Sequence, residues 1–235
     1  MTVGDGCGVI KKTNVAIGQK RLVGILAMPE APDGLVIFAH GSGSSRFSVR
    51  NRYAADKLGQ SGSATLLFDL LTEAEGDDRR NVFDIPLLGA RVVEAIDWAG
   101  ADLRTSGLPI GLFGASTGAG AAIVAAALRP DSVTAIVSRG GRPDLAGRAL
   151  GEVRAPTLLI VGGEDLEVLA LNASARKAMH CKSSLKVVPG AGHLFEEQGA
   201  LDQALAAAAE WYKSHLRGNR SLSRDKGDPP IFDPG

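Results

Sequence analysis

A three-layer α/β fold, with a mostly parallel central sheet and helices on both faces, follows from three observations on this chain of 235 residues. Short apolar runs recur along it, most of them without polar alternation, as strands buried on both faces of a sheet require. Stretches of helical period separate these runs. The regular alternation of the two implies right-handed crossovers between parallel strands.

The elements justify this in order. Residues 15–17 and 22–28 flank Gly18-Gln19-Lys20-Arg21 and read as an antiparallel hairpin at the sheet edge. Runs 35–39, 64–71, 109–113 and 133–137 are apolar and unalternating, and 157–161 and 185–188 complete the series of strands. Helical period marks 51–60, 86–99 with apolar Leu88, Val92, Val93 and Ile96, then 119–128, 168–179 and 201–216. The segment between Val137 and Thr157 has room for one small helix but not for a lid domain. A single domain over 1–217 is expected, with a polar arm over 218–235 that contains Pro229, Pro230 and Pro234.

Composition excludes several classes. Twenty-six basic side chains balance 26 acidic ones, so bulk electrostatics recruits neither nucleic acid nor an anionic membrane. No apolar stretch is long enough to span a bilayer, and residues 1–12 carry no signal-peptide core. Cys7 and Cys181 stand far apart, without the CxxC spacing of a zinc or redox site, so a reducing cytoplasm is the expected setting.

Chemistry concentrates on four loops. Gly114-Ala115-Ser116-Thr117-Gly118 lies between a strand and an Ala-rich helix, the context of a nucleophile elbow. Its glycines permit a tight, strained turn, and the helix start aims free N–H groups at the same spot. A serine needs a base, itself oriented by an acid. Asp165 follows the strand 157–161 within Gly162-Gly163-Glu164-Asp165, and His193 follows the strand 185–188 within Gly190-Ala191-Gly192-His193. In a parallel sheet all three fall on the same edge, beyond the carboxyl ends of the strands. Glu164 and Asp144 are rival acids. Asp165 is preferred because it completes the Gly-Gly-x-Asp turn, whereas a longer Glu164 side chain would have to fold back.

The fourth loop, His40-Gly41-Ser42-Gly43-Ser44, follows the strand 35–39. Pairing the Ser42 N–H with the Thr117 N–H gives an oxyanion hole, although Gly41 or Gly43 serves equally after a one-residue shift. His40, at the strand end, reads as a buried residue that fixes this loop rather than as a second base. Arg46, Arg50 and Asn51 follow the loop, and Arg139 and Arg142 follow the run 133–137. Arg46 and Arg50 are candidates to bind a substrate carboxylate or phosphate. The alternative is that these arginines brace the rim by pairing with Glu73, Glu75, Asp77 or Asp78. Cys181 reads as an inert thiol, and Trp98, Trp211 and Tyr212 as core.

With these loops in this order, the chain resembles the α/β-hydrolase superfamily, and within it the capless dienelactone hydrolase-like group, over about 22–216. The likeness rests on His40-Gly41-Ser42-Gly43-Ser44-Ser45 and on the Ser116, Asp165 and His193 loops. It implies Ser116 as nucleophile, Asp165 as acid and His193 as base, with no metal or organic cofactor. Dienelactone hydrolases proper place a cysteine at the elbow. Ser116 stands there instead, which favours a serine carboxylesterase acting on small esters or lactones of short acyl chain. The stretch 40–51 also looks like a hydrolase domain found in some bacteria alone or fused to a phosphoribosyltransferase, and only the hydrolase part is expected here. The same residues would serve an acyltransferase or perhydrolase, and a binding module that keeps the fold without activity is the non-enzymatic alternative.

Overall fold

The computed structural model describes residues 9–216. Eight strands form one sheet in the order β1-β2-β4-β3-β5-β6-β7-β8. β1 (Lys11–Ile17) and β2 (Leu22–Met28) make the expected hairpin, closed between Ile17 and Leu22. β2 also pairs antiparallel with β4 (Ala64–Phe68), and from there the sheet is parallel through β3 (Leu35–Ala39), β5 (Ile110–Ala115), β6 (Val133–Arg139), β7 (Thr157–Gly162) and β8 (Ser183–Val188).

Successive strand residues point to opposite faces, so the continuous apolar runs feed two cores. Leu35, Ile37, Leu66 and Leu112 face one side, against α4 (Ile85–Ala101) and α5 (Thr117–Leu128). Val36, Phe38, Leu67 and Phe113 face the other, against α1 (Val49–Gln60) and α8 (Ala200–Leu216). Gly89 of α4 has a packing reason: a Cβ there would lie 2.8 Å from Val124 Cγ1 of α5, so these two helices meet almost without gap. Tyr212, fully buried, anchors α8 by donating its hydroxyl to the Leu112 carbonyl at 2.7 Å.

Several boundaries differ from those expected. β4 ends at Phe68 rather than residue 71 because Asp69 and Leu70 leave the ladder for the neighbouring loop, where Asp69 accepts from the Arg46 N–H and Leu70 donates to His40. The stretch after it holds two one-turn helices with no sequence period, α2 (Glu73–Gly76) and α3 (Arg79–Val82), each started by a side-chain cap, Thr72 and Asp78. Between β6 and β7 lie a 3-10 helix (Pro143–Ala146) and α6 (Ala149–Glu152), two short pieces instead of one, and no lid domain. α7 (Leu166–Ala178) links β7 to β8. The arm expected over 218–235 lies outside the described residues. Among those described, no helix is long and apolar enough to cross a membrane.

Candidate active site

Ser116 is held at φ 52° and ψ −126°, between β5 and the first residue of α5. A non-glycine residue rarely adopts this backbone conformation, and it persists only where its surroundings enforce it. The enforcement is visible on both sides. A Cβ on Gly114 would lie 2.4 Å from Ala119 Cα, and one on Gly118 would lie 2.0 Å from the Ala39 carbonyl oxygen. The Ser116 carbonyl accepts from Ala119 and from Arg142, at 3.1 and 3.0 Å. The first N–H groups of α5, that of Thr117 among them, have no helical carbonyl before them to donate to, and the positive end of the helix lies at this edge.

On that edge His193 Nδ1 lies 2.6 Å from Asp165 Oδ2, with side chains 41% and 14% exposed. The two loops are stitched together by backbone: Gly163 donates to Val188 at 2.8 Å and Glu164 to Ala191 at 3.0 Å. Gly162 permits the approach, since a Cβ there would lie 2.3 Å from the Ala191 carbonyl oxygen. Asp144, the rival acid, is instead paired with Arg142 through two hydrogen bonds of 2.9 and 2.8 Å. No hydrogen bond joins Ser116 Oγ to the imidazole among the described residues. Such contacts commonly tighten only when substrate binds.

The loop after β3 passes beside the serine: a Cβ on Gly41 would stand 2.9 Å from Ser116 Cβ and 3.1 Å from the Ala115 carbonyl oxygen. Gly43 takes φ +67° to turn it. The Ser42 N–H donates to Thr117 Oγ1 at 2.9 Å, so the two residues expected to supply oxyanion donors are in direct contact. His40 Nε2 accepts from the Leu70 N–H at 3.1 Å, which places the ring proton on Nδ1, 3.0 Å from the Gly41 carbonyl. Burial pushes its pKa down, so the ring is a neutral brace between loops.

The arginines find partners other than those expected. Arg46 pairs with Asp69 through its guanidinium and its N–H, and its Cζ lies 4.1 Å from the Phe47 ring centroid. Its charge is therefore already neutralised. Arg50 reaches exposed Glu196 at 2.8 Å. Glu75 serves Arg91 and Lys20, and Asp78 serves Arg80. Asp69, not singled out in the sequence, is thus a structural member of the site. Only its place as the one charged residue within the run 64–71 hinted at this. Beside the loop opens a cleft of about 510 Å³, lined by Ser42, Arg46, Phe47, Leu71, Val82 and Leu88 among others.

Residues 23–216 match the model of the dienelactone hydrolase family. The chain belongs to that family. Among solved structures of the family, a dienelactone hydrolase from Anabaena variabilis is 52% identical, with a TM-score of 0.85, covering 90% of this chain and 100% of that one. Est1E from Butyrivibrio proteoclasticus shares the fold at 18% identity and a TM-score of 0.70, over 86% of this chain and 98% of its own. Two proteins of Mycobacterium tuberculosis, provisionally named phosphoribosyl transferases, are 55% identical over 208 residues, 88% of this chain and 47% of theirs. The chain thus spans about half the length of those relatives.

Proposed function

We propose that the protein hydrolyses small carboxylic esters or lactones through an acyl-enzyme on Ser116. The observation that carries this reading is the 2.6 Å contact between His193 and Asp165 on the edge where the Ser116 backbone is held in its strained turn. Asp165 accepts a hydrogen bond from the Nδ1–H and stays ionised, which leaves Nε2 as the base that takes the proton of Ser116 Oγ. Attack on the ester carbonyl gives a tetrahedral oxyanion. The Thr117 N–H, at the positive end of α5, is its first donor, and the Ser42 N–H is the second. Ser42 is held ready on a neutral hydroxyl, and a full oxyanion is the stronger acceptor, so the N–H transfers its bond as charge develops. His193 then protonates the leaving alcohol and deprotonates the water that releases the acid.

The cleft beside the oxyanion loop receives one part of the ester, with apolar walls and the neutralised Arg46–Asp69 pair at its border. With no lid to bury a long chain, short acyl groups are favoured. The family membership supports hydrolysis. The transferase name borne by relatives twice as long is not carried over to this segment. The test is a series of uncharged p-nitrophenyl esters of rising acyl length, assayed with wild type and Ser116→Ala. Turnover that is confined to wild type and falls with chain length is expected. Hydrolysis retained by folded Ser116→Ala contradicts the proposal.

A further inference from the structure

Arg139 is the last residue of β6, directly opposite Ala115 in the parallel register, so it sits one strand away from the residue preceding Ser116. It is a charged residue only 8% exposed, and among the described residues no carboxylate pairs with it. Its Nε and Nη1 are buried without a hydrogen bond. Asp165 holds His193, Asp144 holds Arg142, Glu196 holds Arg50 and Glu197 accepts from the Gly192 N–H. The guanidinium Cζ lies 5.9 Å from the Phe195 ring centroid, and the like charge of Arg50 acts on it. Burial, and then the Arg50 charge, lower its pKa to about 10, which still leaves it cationic at neutral pH.

Buried cations are ordinarily paired, and an unpaired guanidinium with two unsatisfied donors demands an explanation. A structural role through stacking alone does not supply one, because a ring face satisfies no N–H. The site next to it does. Gly140 packs against the His193 loop, where a Cβ would lie 3.0 Å from the His193 carbonyl oxygen, so Arg139 stands on the His193 side of the nucleophile. By strand alternation its side chain shares the face of Val137, toward α1 and Phe195. Arg50, on α1, is tied among the described residues to an exposed glutamate, a weak and exchangeable pair.

We propose that Arg139, with Arg50 at its rim, forms an anion-binding subsite that takes an oxyanion group, carboxylate or phosphate, carried by the substrate of Ser116. The buried fork offers Nε and Nη1 to the oxygens of such a group, and Arg50 moves from Glu196 to meet the remaining charge. The assignment rests on the serine hydrolase reading for the identity of the ligand as substrate, but not for the binding of the anion.

The test uses the full chain, with inorganic phosphate and acetate titrated separately by calorimetry. Saturable binding of at least one anion is expected, weakened about tenfold in Arg139→Gln and less in Arg50→Gln. Phosphate alone, or acetate alone, identifies the group. In parallel, Ser116 is labelled with an uncharged alkyl fluorophosphonate with and without each anion, and the bound anion is expected to slow labelling of wild type. Should Arg139→Gln fail to fold, Arg50→Gln, at the exposed rim, carries the comparison. Binding of neither anion, or binding undiminished in the folded variants, overturns the proposal while leaving labelling of Ser116 intact. Loss of labelling with anion binding still dependent on Arg139 overturns the hydrolase reading instead.

Discussion

The N–H of Ser42 donates to Thr117 Oγ1 at 2.9 Å, across 75 positions of sequence. One bond therefore ties the loop after β3 to the first turn of α5, and it orients one proposed oxyanion donor from the residue that supplies the other. Thr117→Val keeps the shape and removes the acceptor. A fall in kcat of roughly tenfold is expected, with KM little changed and a stability loss of about 1 kcal/mol. Thr117→Ser should restore kcat. Steady-state kinetics on one short-chain ester checks this, and an unchanged kcat in Thr117→Val would remove the clamp from the account.

Asp165 and Asp144 were rival acids, and their partners now differ. Asp165→Asn leaves the His193 ring in the wrong tautomer, and kcat should fall by about 10³–10⁴-fold. Asp144→Asn loses only its pair with Arg142 and should stay within a few-fold of wild type. The reverse order in kcat would reassign the acid.

Gly118→Ala tests the strained turn through stability. Its Cβ would fall 2.0 Å from the Ala39 carbonyl oxygen and 2.6 Å from that of His40, both backbone atoms with nowhere to go. A loss of about 3 kcal/mol or more, or failure to fold, is expected. Thermal and denaturant unfolding measure it, and a wild-type midpoint would contradict the close packing of the elbow.

His40 gives a pH dependence of definite sign. Its folded pKa is lowered, first by burial, from an ordinary value of 6.5. The unfolded chain thus binds the proton more readily, so His40 contributes stability that is present above pH 6.5 and lost as pH falls through the folded value. Protonation also removes the lone pair that accepts from Leu70. His40→Asn should be less stable at neutral pH and flatter in the range just below pH 6.5. Denaturant titrations across that range give the slope, and an identical slope in wild type and variant would remove His40 as its source.

The sheet was legible because its strands are covered on both faces, which leaves runs such as 35–39 with no polar residue to confuse their period. α2 and α3 were not, since single turns started by Thr72 and Asp78 carry no periodicity. The loops of Ser116, Asp165 and His193 could be ordered from strand ends, and the Asp165–His193 contact lies where that ordering put it. Charge pairing was not readable. Arg46 finds Asp69 across 23 positions and Arg50 finds Glu196 across 146, so which of the arginines near the strand ends would be buried without a carboxylate depended on folded geometry. The answer, Arg139, was in the sequence only as one of several arginines near a strand end.

The central claim is that Ser116 is an activated nucleophile. Its most direct measurement is the intact mass of wild type and Ser116→Ala after incubation with an uncharged fluorophosphonate. A single adduct in wild type, absent from Ser116→Ala and carried on the peptide that contains Ser116, is the predicted result. An unmodified, folded wild type, or an adduct that persists in Ser116→Ala, would contradict it.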